Sequence, residues 1–254
     1  MSSKFKYWVE KYKIPGVPLI HVGAHLVQER DEYIESDFSP VLWFEAIPEV
    51  AEKALKILES YPTQKLLNCA LWSTDGDSRT FYFAGHEGSS SSLLEPYLIS
   101  ASHPEVLRTG EINVVTSTLD SELLKLEPKV GYRILVLDVQ GAEIEVIKGG
   151  TKSIADIDYI ISEISQIELY RATSKVQELV EILREHGFTF VASEINRATG
   201  WGEGLFIRTA LLNDVSNFDF EHEVIGKYVA KGRILRTIVL KFKKTKARLL
   251  GKNK

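Results

Sequence analysis

The sequence predicts one α/β domain built on a doubly wound, mostly parallel sheet. Short apolar runs alternate with longer amphipathic stretches along the chain, and this alternation is typical of strands joined by right-handed helical crossovers. Two β-like runs, at residues 188–192 and 204–208, follow the last predicted helix. Such a pair predicts one antiparallel strand at an edge of the sheet. The 254 residues, 44% of them hydrophobic, suffice for one large core.

In the first half of the chain, glycine and proline mark where the predicted elements end or begin. A β-like run ends at Gly23, and Pro48 suits the first turn of a helix. The turn residues at 75–77 lie between two strand-like segments and predict a hairpin. The predicted elements are strand 17–22, helix 26–36, strand 40–44, helix 48–58, strand 65–72 and strand 79–83.

The second half continues the alternation after a polar loop at residues 85–92. Gly187 is expected to end the last helix, because glycine is common directly after a helix C-terminus. The predicted elements are strand 112–118, strand 132–139, helix 142–148, strand 159–164, helix 176–185 and the closing pair of strands. Residues 1–223 are therefore expected to form the domain and residues 224–254 a separate tail.

The composition excludes several classes of protein. A single cysteine, Cys69, excludes an internal disulfide and a zinc site built from several cysteines. No apolar run approaches the roughly 18 residues of a membrane-spanning helix. Lysines are spread through the first fifteen residues, which leaves no apolar core for a signal peptide. We therefore expect a cytoplasmic protein.

The tail at residues 224–254 differs in charge from the rest of the chain. It carries eleven Lys and Arg residues and no acid, whereas residues 1–223 carry 20 bases and all 35 acids. Ile234, Ile238 and Phe242 recur at helical spacing among these bases, so a helix there would have an apolar stripe and a basic face, which suits an anionic membrane surface. The alternatives are a helix packed on the acidic body and a disordered end. Nucleic acid is not expected as a partner, because aromatic residues are not interleaved with the bases.

The loop after the first strand predicts a nucleoside site. In a doubly wound sheet, ligands lie at the carboxyl ends of the strands, and there the sequence reads H-V-G-A-H at residues 21–25. Glu45 follows the second strand, 22 residues beyond Gly23, a spacing that lets a carboxylate bind ribose hydroxyls. A single glycine fits S-adenosylmethionine better than a dinucleotide, whose pyrophosphate requires more glycines. Alternatively, Gly23 only turns the chain and Glu45 caps the next helix.

Several segments together resemble the FkbM-type family of S-adenosylmethionine-dependent methyltransferases over about residues 18–208. The most specific segment is L-D-V-Q-G-A-E at residues 137–143, which is similar to the family's D-V-E-G-A-E block. The T-L-D segment at residues 118–120 also matches, and the H-V-G-A-H loop is similar to the family's D-V-G-A-N. His21 and Gln140 depart from the pattern, because the family usually has an acid at each of these positions.

The resemblance implies a class I, Rossmann-like methyltransferase with a seven-stranded sheet and S-adenosylmethionine as cofactor. The first loop would line the methionine side, where His21 replaces an acid that in related enzymes helps to hold the amino group. Glu45 would bind the ribose, and Ala46 with Cys69 or Ala70 would flank the adenine. The residues expected at the cofactor are His21, Gly23, Ala24, His25, Glu45, Ala46, Cys69, Ala70 and Asp138.

Three residues are candidates for catalysis: Asp138, Glu163 and His25. Asp138 ends a strand and could orient or deprotonate the acceptor or hold the cofactor's ammonium group; alternatively, it caps the next helix. Glu163 lies in an apolar strand, where a carboxylate is seldom found without a partner. His25 is a second candidate base, or else a hydrogen-bonded loop histidine. Asp120, Asp138 and Glu163 could gather a divalent cation, but nothing in their spacing requires one, and no metal is predicted.

The resemblance and these residues together predict an O-methyltransferase that acts on a hydroxyl of a sugar, glycan or glycolipid. Methyl transfer to an alcohol needs a positioned acceptor and a group that removes its proton. A nucleoside-fold binding protein without turnover is an alternative that His21 and Gln140 leave open. A NAD-dependent oxidoreductase is disfavoured by the missing glycines. Acceptor specificity is expected to reside in residues 85–110.

Overall fold

A computed structural model describes residues 4–85, 88–98, 108–173, 175–197, 199–212 and 220–225. Within these ranges the chain forms the α/β fold that the sequence predicts. The predicted tail lies outside the described residues except for Val224 and Ile225, which end the last strand. In the described part of the chain, no helix has the length and apolar character needed to cross a membrane.

The strands form two sheets. Their bounds are β1 Leu19–Val22, β2 Val41–Glu45, β3 Gln64–Asn68, β4 Ala70–Leu71, β5 Ser78–Ala84, β6 Arg108–Ser117, β7 Ile134–Leu137, β8 Tyr159–Ser165, β9 Phe188–Asn196, β10 Trp201–Arg208 and β11 Glu221–Ile225. The main sheet has the order β11-β9-β10-β8-β7-β1-β2-β3, and the small sheet has the order β4-β6-β5. Every residue of β1, β2 and β7 is buried, as expected for parallel strands that are covered on both faces.

The main sheet differs from the prediction in two respects. It has eight strands instead of seven, because β11 adds a strand parallel to β9. The antiparallel strand is not at an edge. Strand β10 lies between β8 and β9 and is antiparallel to both. It joins the pair to the rest of the sheet through β8, so β9 lies further from the centre. A β-β pair in a sequence fixes the pairing of its two strands but not which of them joins the rest of the sheet.

The hairpin predicted around residues 75–77 is wrong. The turn exists, but β6 lies between β4 and β5, so the strands on either side of the turn do not pair with each other. Asp75 holds the turn against the end of β6 instead: its carboxylate accepts hydrogen bonds from the backbone N–H of Thr118 at 2.7 Å and from the hydroxyl of Ser121 at 2.7 Å. The partner that separates the two strands lies about 30 residues later in the chain.

The six α-helices among the described residues cover both faces of the main sheet. Their bounds are α1 Lys4–Lys11, α2 Arg30–Glu35, α3 Pro48–Leu58, α4 Leu119–Lys125, α5 Glu143–Gly149 and α6 Val176–Glu185. Helices α1 to α3 contribute to one hydrophobic core and α4 to α6 to the other. The helix predicted at 26–36 begins only at Arg30, because Val27 has a left-handed φ of 49°, which interrupts a right-handed helix.

Candidate active site

Two loops meet backbone to backbone at the carboxyl ends of β1 and β7. The N–H of Asp138 donates to the carbonyl of Val22 at 2.9 Å. Gly23 has a φ of 93°, and a Cβ atom added to it would lie 1.9 Å from the carbonyl oxygen of Asp138. Only glycine fits there. These two loops therefore form a tightly packed floor at the centre of the sheet edge where ligands are expected.

A cleft with about 80 Å³ of free volume opens above this floor. It is bordered by the ends of β1, β2 and β7, by the start of the small sheet and by the loop at residues 88–93. Seven of the residues that the sequence analysis assigns to the cofactor line it: Gly23, His25, Glu45, Ala46, Cys69, Ala70 and Asp138. The sequence pattern therefore brings most of the expected residues to one cavity.

His21 and Ala24, which the sequence analysis also assigns to the cofactor, do not line this cleft. The His21 ring is buried in the core, 4.6 Å from the Trp43 ring and with Nδ1 2.8 Å from the Tyr33 hydroxyl. Burial lowers the pKa of His21. Side chains alternate between the two faces of a strand, so His21 points away from its neighbour Val22, which does line the cleft. Ala24 is 1% exposed.

Glu45 is held rigidly inside the cleft. One carboxylate oxygen accepts the N–H of His25 at 2.7 Å, and the other accepts the N–H of Ile47 at 2.8 Å. The side chain is only 6% exposed, and burial raises the pKa of its carboxyl despite these hydrogen bonds. Each carboxylate oxygen has a second acceptor position. Glu45 can therefore anchor the first loop and still accept hydrogen bonds from two neighbouring hydroxyls of a ligand.

The wall beyond Glu45 is apolar. Ile47, Leu71 and Phe81 line it together with Cys69. Burial raises the pKa of the Cys69 thiol to about 12, so this thiol is neutral and acts as a small apolar group. The Asn68 side chain donates to the backbone carbonyls of Glu45 and Ala46 at 2.8 and 3.2 Å. This wall suits a flat, weakly polar group such as a purine base.

The loop at residues 88–93, part of the segment to which the sequence analysis assigned acceptor specificity, closes one side of the cofactor cleft. Gly88, Ser89, Ser91 and Leu93 contribute to its lining. The hydroxyl of Ser92 donates to the backbone carbonyl of Gln140 at 2.9 Å, which ties the loop to the turn after β7. The segment at 85–92 is polar and apparent in the sequence, but nothing in it indicates which turn it contacts.

Carboxyl groups form a row across four adjacent strands. Asp138 follows β7, Glu163 lies on β8, and the strand register places Glu203 beside Glu163 and Glu194 beside Glu203. Burial raises the pKa of Glu163 well above its usual value, and the neighbouring carboxyls of Asp138, Glu143 and Glu203 raise it further. Glu163 therefore holds its proton more tightly than an ordinary carboxyl.

Glu163 also lines a second, smaller cavity of about 20 Å³, next to the first. Its other lining includes Glu143, Tyr170, Thr173 and Trp201. Gln140 lines both cavities, and its amide nitrogen lies 2.7 Å from an oxygen of Asp138 and 2.8 Å from an oxygen of Glu163. The two carboxyl groups thus stand at the boundary between the cavities.

Residues 21–190, more than half of the chain, match the family model described as the methyltransferase FkbM domain. The chain belongs to the FkbM methyltransferase family. It is accordingly an S-adenosylmethionine-dependent methyltransferase, as its resemblance to the family implies. Curated protein sequences gave no match.

Solved structures of other methyltransferases are similar to this FkbM-family chain. Magnesium protoporphyrin IX methyltransferase from Synechocystis PCC 6803, solved with bound S-adenosylmethionine, is 10% identical, with 80% of this chain and 75% of that chain covered and a TM-score of 0.47. TrmK from M. capricolum, solved with S-adenosylhomocysteine, is 8% identical, with 87% and 70% covered and a TM-score of 0.46. A methyltransferase from Aquifex aeolicus is 8% identical, with 80% and 88% covered and a TM-score of 0.45.

The first cleft of this FkbM-family protein fits the methyl donor of its family. The Glu45 carboxylate, fixed by two backbone hydrogen bonds, can accept hydrogen bonds from the ribose hydroxyls. The apolar wall at Ile47 and Cys69 can pack against the base. The backbone floor at Gly23 lets a ligand approach the ends of the central strands closely. These three features agree with a nucleoside that carries no phosphate.

Replacing Glu45 with alanine should weaken S-adenosylmethionine binding by about 1–3 kcal/mol, because buried hydrogen bonds to the ribose would be lost. The backbone N–H groups of His25 and Ile47 would also lose their acceptor. Calorimetric titration with S-adenosylmethionine measures the change. The exposed Glu52 on α3, replaced in the same way, is the matched control. Unchanged affinity in E45A would exclude Glu45 as the ribose residue.

Glu143 is a buried carboxyl that also serves the backbone. It is 6% exposed and accepts the N–H of Gly141 at 3.0 Å. Burial raises the pKa of its carboxyl to about 7. Asp138 does not cap helix α5, contrary to the alternative considered from the sequence. The N-cap is Ala142, whose side chain makes no capping hydrogen bond.

The raised pKa of Glu143 predicts a pH dependence of stability. A folded-state pKa of about 7, above the usual 4.5, contributes stability at low pH that is lost as the pH rises through 7. Replacing Glu143 with glutamine keeps the acceptor for Gly141 and removes this loss. We expect E143Q to gain up to about 3 kcal/mol over the wild type between pH 5 and pH 8, measured by urea unfolding. The exposed Glu49, changed to glutamine, should show no such gain. Equal pH dependence in E143Q and the wild type would contradict the buried charge.

Of the two other residues that the sequence analysis considered, His25 lines the cofactor cleft and Asp120 does not. His25 lines the cleft with a left-handed φ of 45°, and its Nδ1 lies 2.7 Å from the Gln28 amide nitrogen. Asp120 does not join Asp138 and Glu163: its carboxylate accepts the N–H and the hydroxyl of Ser153 at 2.8 and 2.6 Å. Among the described residues, no group of three His, Cys, Asp or Glu side chains is arranged to hold a metal ion.

Proposed function

We propose that this methyltransferase transfers the methyl group of S-adenosylmethionine to a hydroxyl of a sugar, glycan or glycolipid. The observation that carries the proposal is the Glu163 carboxyl, which stands between the cofactor cleft and the second cavity. An alcohol must lose its proton as the new oxygen–carbon bond forms, and a positioned carboxylate is a group that can take this proton. The family resemblance favours sugars among the possible alcohols.

The cofactor, when bound, supplies a methyl carbon activated by its positive sulfur. The chain's own residues remove the proton of the acceptor hydroxyl. Glu163 in its ionised form accepts the hydroxyl proton, while Asp138 and the Gln140 amide hold it in place. The raised pKa of Glu163 makes its carboxylate a stronger base than an ordinary carboxylate. The acceptor oxygen would gain the methyl group as the bond from that carbon to sulfur breaks and its electron pair returns to sulfur, and the proton would remain on Glu163 until solvent removes it.

The second cavity, with about 20 Å³ of free volume, has room for about one hydroxyl group or water, and its side chains suit a polar group that is not anionic. Its lining combines the aromatic rings of Tyr170 and Trp201 with the hydroxyl of Thr173 and the carboxyls of Glu143 and Glu163. Carboxyl groups bind hydroxyls. A glycolipid acceptor would also agree with binding of the basic tail to an anionic membrane surface. That binding is a prediction from the sequence alone.

Methylation assays test the proposed acceptor class. The full chain is incubated with methyl-labelled S-adenosylmethionine and, in parallel, with neutral monosaccharides, oligosaccharides, a glycolipid and a tRNA mixture. Products are identified by a mass gain of one methylene group and by the position of the methyl group. An O-methyl ether on a sugar supports the proposal. Methylation of nitrogen alone, or cofactor binding without transfer to any hydroxyl, would overturn it.

A further inference from the structure

Gln140 occupies the boundary between the two cavities in a strained conformation. Its φ is 54°, in the left-handed region that non-glycine residues rarely adopt. The backbone carbonyl of Gln140 accepts the Ser92 hydroxyl at 2.9 Å, and the residue is 8% exposed. Strain of this kind persists where the surrounding structure holds it and is frequent at functional sites. The turn after β7 alone does not explain why a residue other than glycine stands at position 140.

The hydrogen bonds of the side chain define which way its amide faces. Its nitrogen lies 2.7 Å from Asp138 and 2.8 Å from Glu163, and its oxygen lies 2.9 Å from the Tyr170 hydroxyl. An amide has donors only on its nitrogen, whereas ionised carboxylates are acceptors only. The NH₂ group must therefore face the two carboxyls, and each of its two hydrogens has one of them as partner.

Tyr170 fixes the other end of the amide. Its hydroxyl lies 2.9 Å from the Gln140 side-chain oxygen and 2.9 Å from the Ser90 carbonyl in the loop beside the cleft. A hydroxyl has one proton to donate, so Gln140 and the loop compete for it. The amide is thus connected on one side to the carboxyl pair and on the other to the segment that closes the cofactor cleft.

We propose that Gln140 is the positioning residue of the carboxyl pair: its amide holds Asp138 and Glu163 together by two hydrogen bonds without adding a charge. This inference rests on the proposed function, because it assigns Glu163 to the acceptor proton. It adds that the neutrality of residue 140 determines at which pH that carboxyl is ionised.

The charges around Gln140 explain why neutrality matters. Asp138 and Glu163 face it directly, Glu143 comes from α5 and Glu203 from β10, and the buried His21 on β1 lies near Asp138. The phenol of Tyr170 completes the described set. A further carboxyl at position 140 would disfavour ionisation of its neighbours, as like charges do. It would also replace the two amide donors with acceptors.

The test replaces Gln140 with glutamate and follows Glu163 directly. The full-length protein is labelled with ¹³C at the glutamate carboxyls and titrated by NMR without cofactor or acceptor. The Glu163 signal is identified as the one missing in E163Q. In Q140E we expect its midpoint to rise by about one pH unit or more. The acid limb of kcat/KM, measured with the acceptor found by the methylation screen, should move in the same direction.

Two further variants separate positioning from folding and from surface charge. Tyr170→Phe keeps the ring and removes the hydroxyl that fixes the amide; it should lower kcat about 3- to 10-fold and leave S-adenosylmethionine affinity within about twofold, the scale of one lost hydrogen bond. Gln177→Glu adds the same charge at an exposed position on α6 and should leave the Glu163 midpoint and the pH profile unchanged.

The outcomes test the role of Gln140 separately from the proposed function on which it rests. A Glu163 midpoint that is the same in Q140E and in the wild type would overturn the role of Gln140, even if sugars are methylated. A raised midpoint in a protein that methylates no hydroxyl would support the role of Gln140 and reject the proposed function. If Q140E does not fold, Y170F decides: wild-type kcat in that variant would overturn the proposal.

Discussion

Replacing Glu163 with glutamine is expected to lower kcat for methyl transfer about 10²- to 10⁴-fold, the range that a positioned general base contributes. Glutamine keeps the size of the side chain but cannot accept the proton of a hydroxyl in the same way. Affinity for S-adenosylmethionine should stay within about twofold of the wild-type value, because Glu163 lines the second cavity and not the first.

The same role of Glu163 predicts how kcat/KM changes with pH. A base works only when ionised, and burial with neighbouring carboxyls raises the pKa of Glu163. The wild-type kcat/KM should therefore fall as the pH decreases through this raised value, and the residual rate of E163Q should lack that limb. Glu194→Gln is the matched control, because Glu194 belongs to the same row of carboxyls but lines neither cavity. Wild-type kcat in E163Q would remove Glu163 from the reaction.

The sequence predicted those elements whose pattern is local. Helix α6 has the predicted bounds, and the central strands fall where the apolar runs lie. Features set by distant partners could not be predicted. The insertion of β6 between β4 and β5 and the extra strand β11 depend on pairings between segments far apart in the chain. Helix α1 was not predicted at all, although its Phe5 and Trp8 are fully buried.

The candidate site shows the same limit. Glu163 was identifiable, because a carboxylate inside an apolar strand needs a partner. Its partners were not, since Glu203 comes beside it only through the antiparallel register of β10, and Tyr170 reaches Gln140 across 30 positions of sequence. The placement of His21 was within reach of the sequence, because alternation along β1 puts it on the face opposite Val22.

Gly23→Ala is expected to be the most destabilising single change at the site. A Cβ atom would lie 1.9 Å from the carbonyl oxygen of Asp138, and the φ of 93° is strained for any other residue. Overpacking against backbone costs about 1–3 kcal/mol, and a left-handed conformation costs a further 1–2 kcal/mol, roughly. We expect the free energy of unfolding to fall by about 4 kcal/mol, measured by urea unfolding, and S-adenosylmethionine binding to be lost with the displaced loop.

Gly76→Ala separates the two causes. Gly76 has a similar φ of 78°, but no atom lies within 4 Å of where its Cβ would be. This variant should therefore lose only the conformational part, about 1–2 kcal/mol, and should bind S-adenosylmethionine as the wild type does. Equal losses of stability in the two variants would mean that φ alone requires glycine at position 23. A larger loss in G23A, together with lost binding, would mean that contact between the loops after β1 and β7 is what shapes the cofactor cleft.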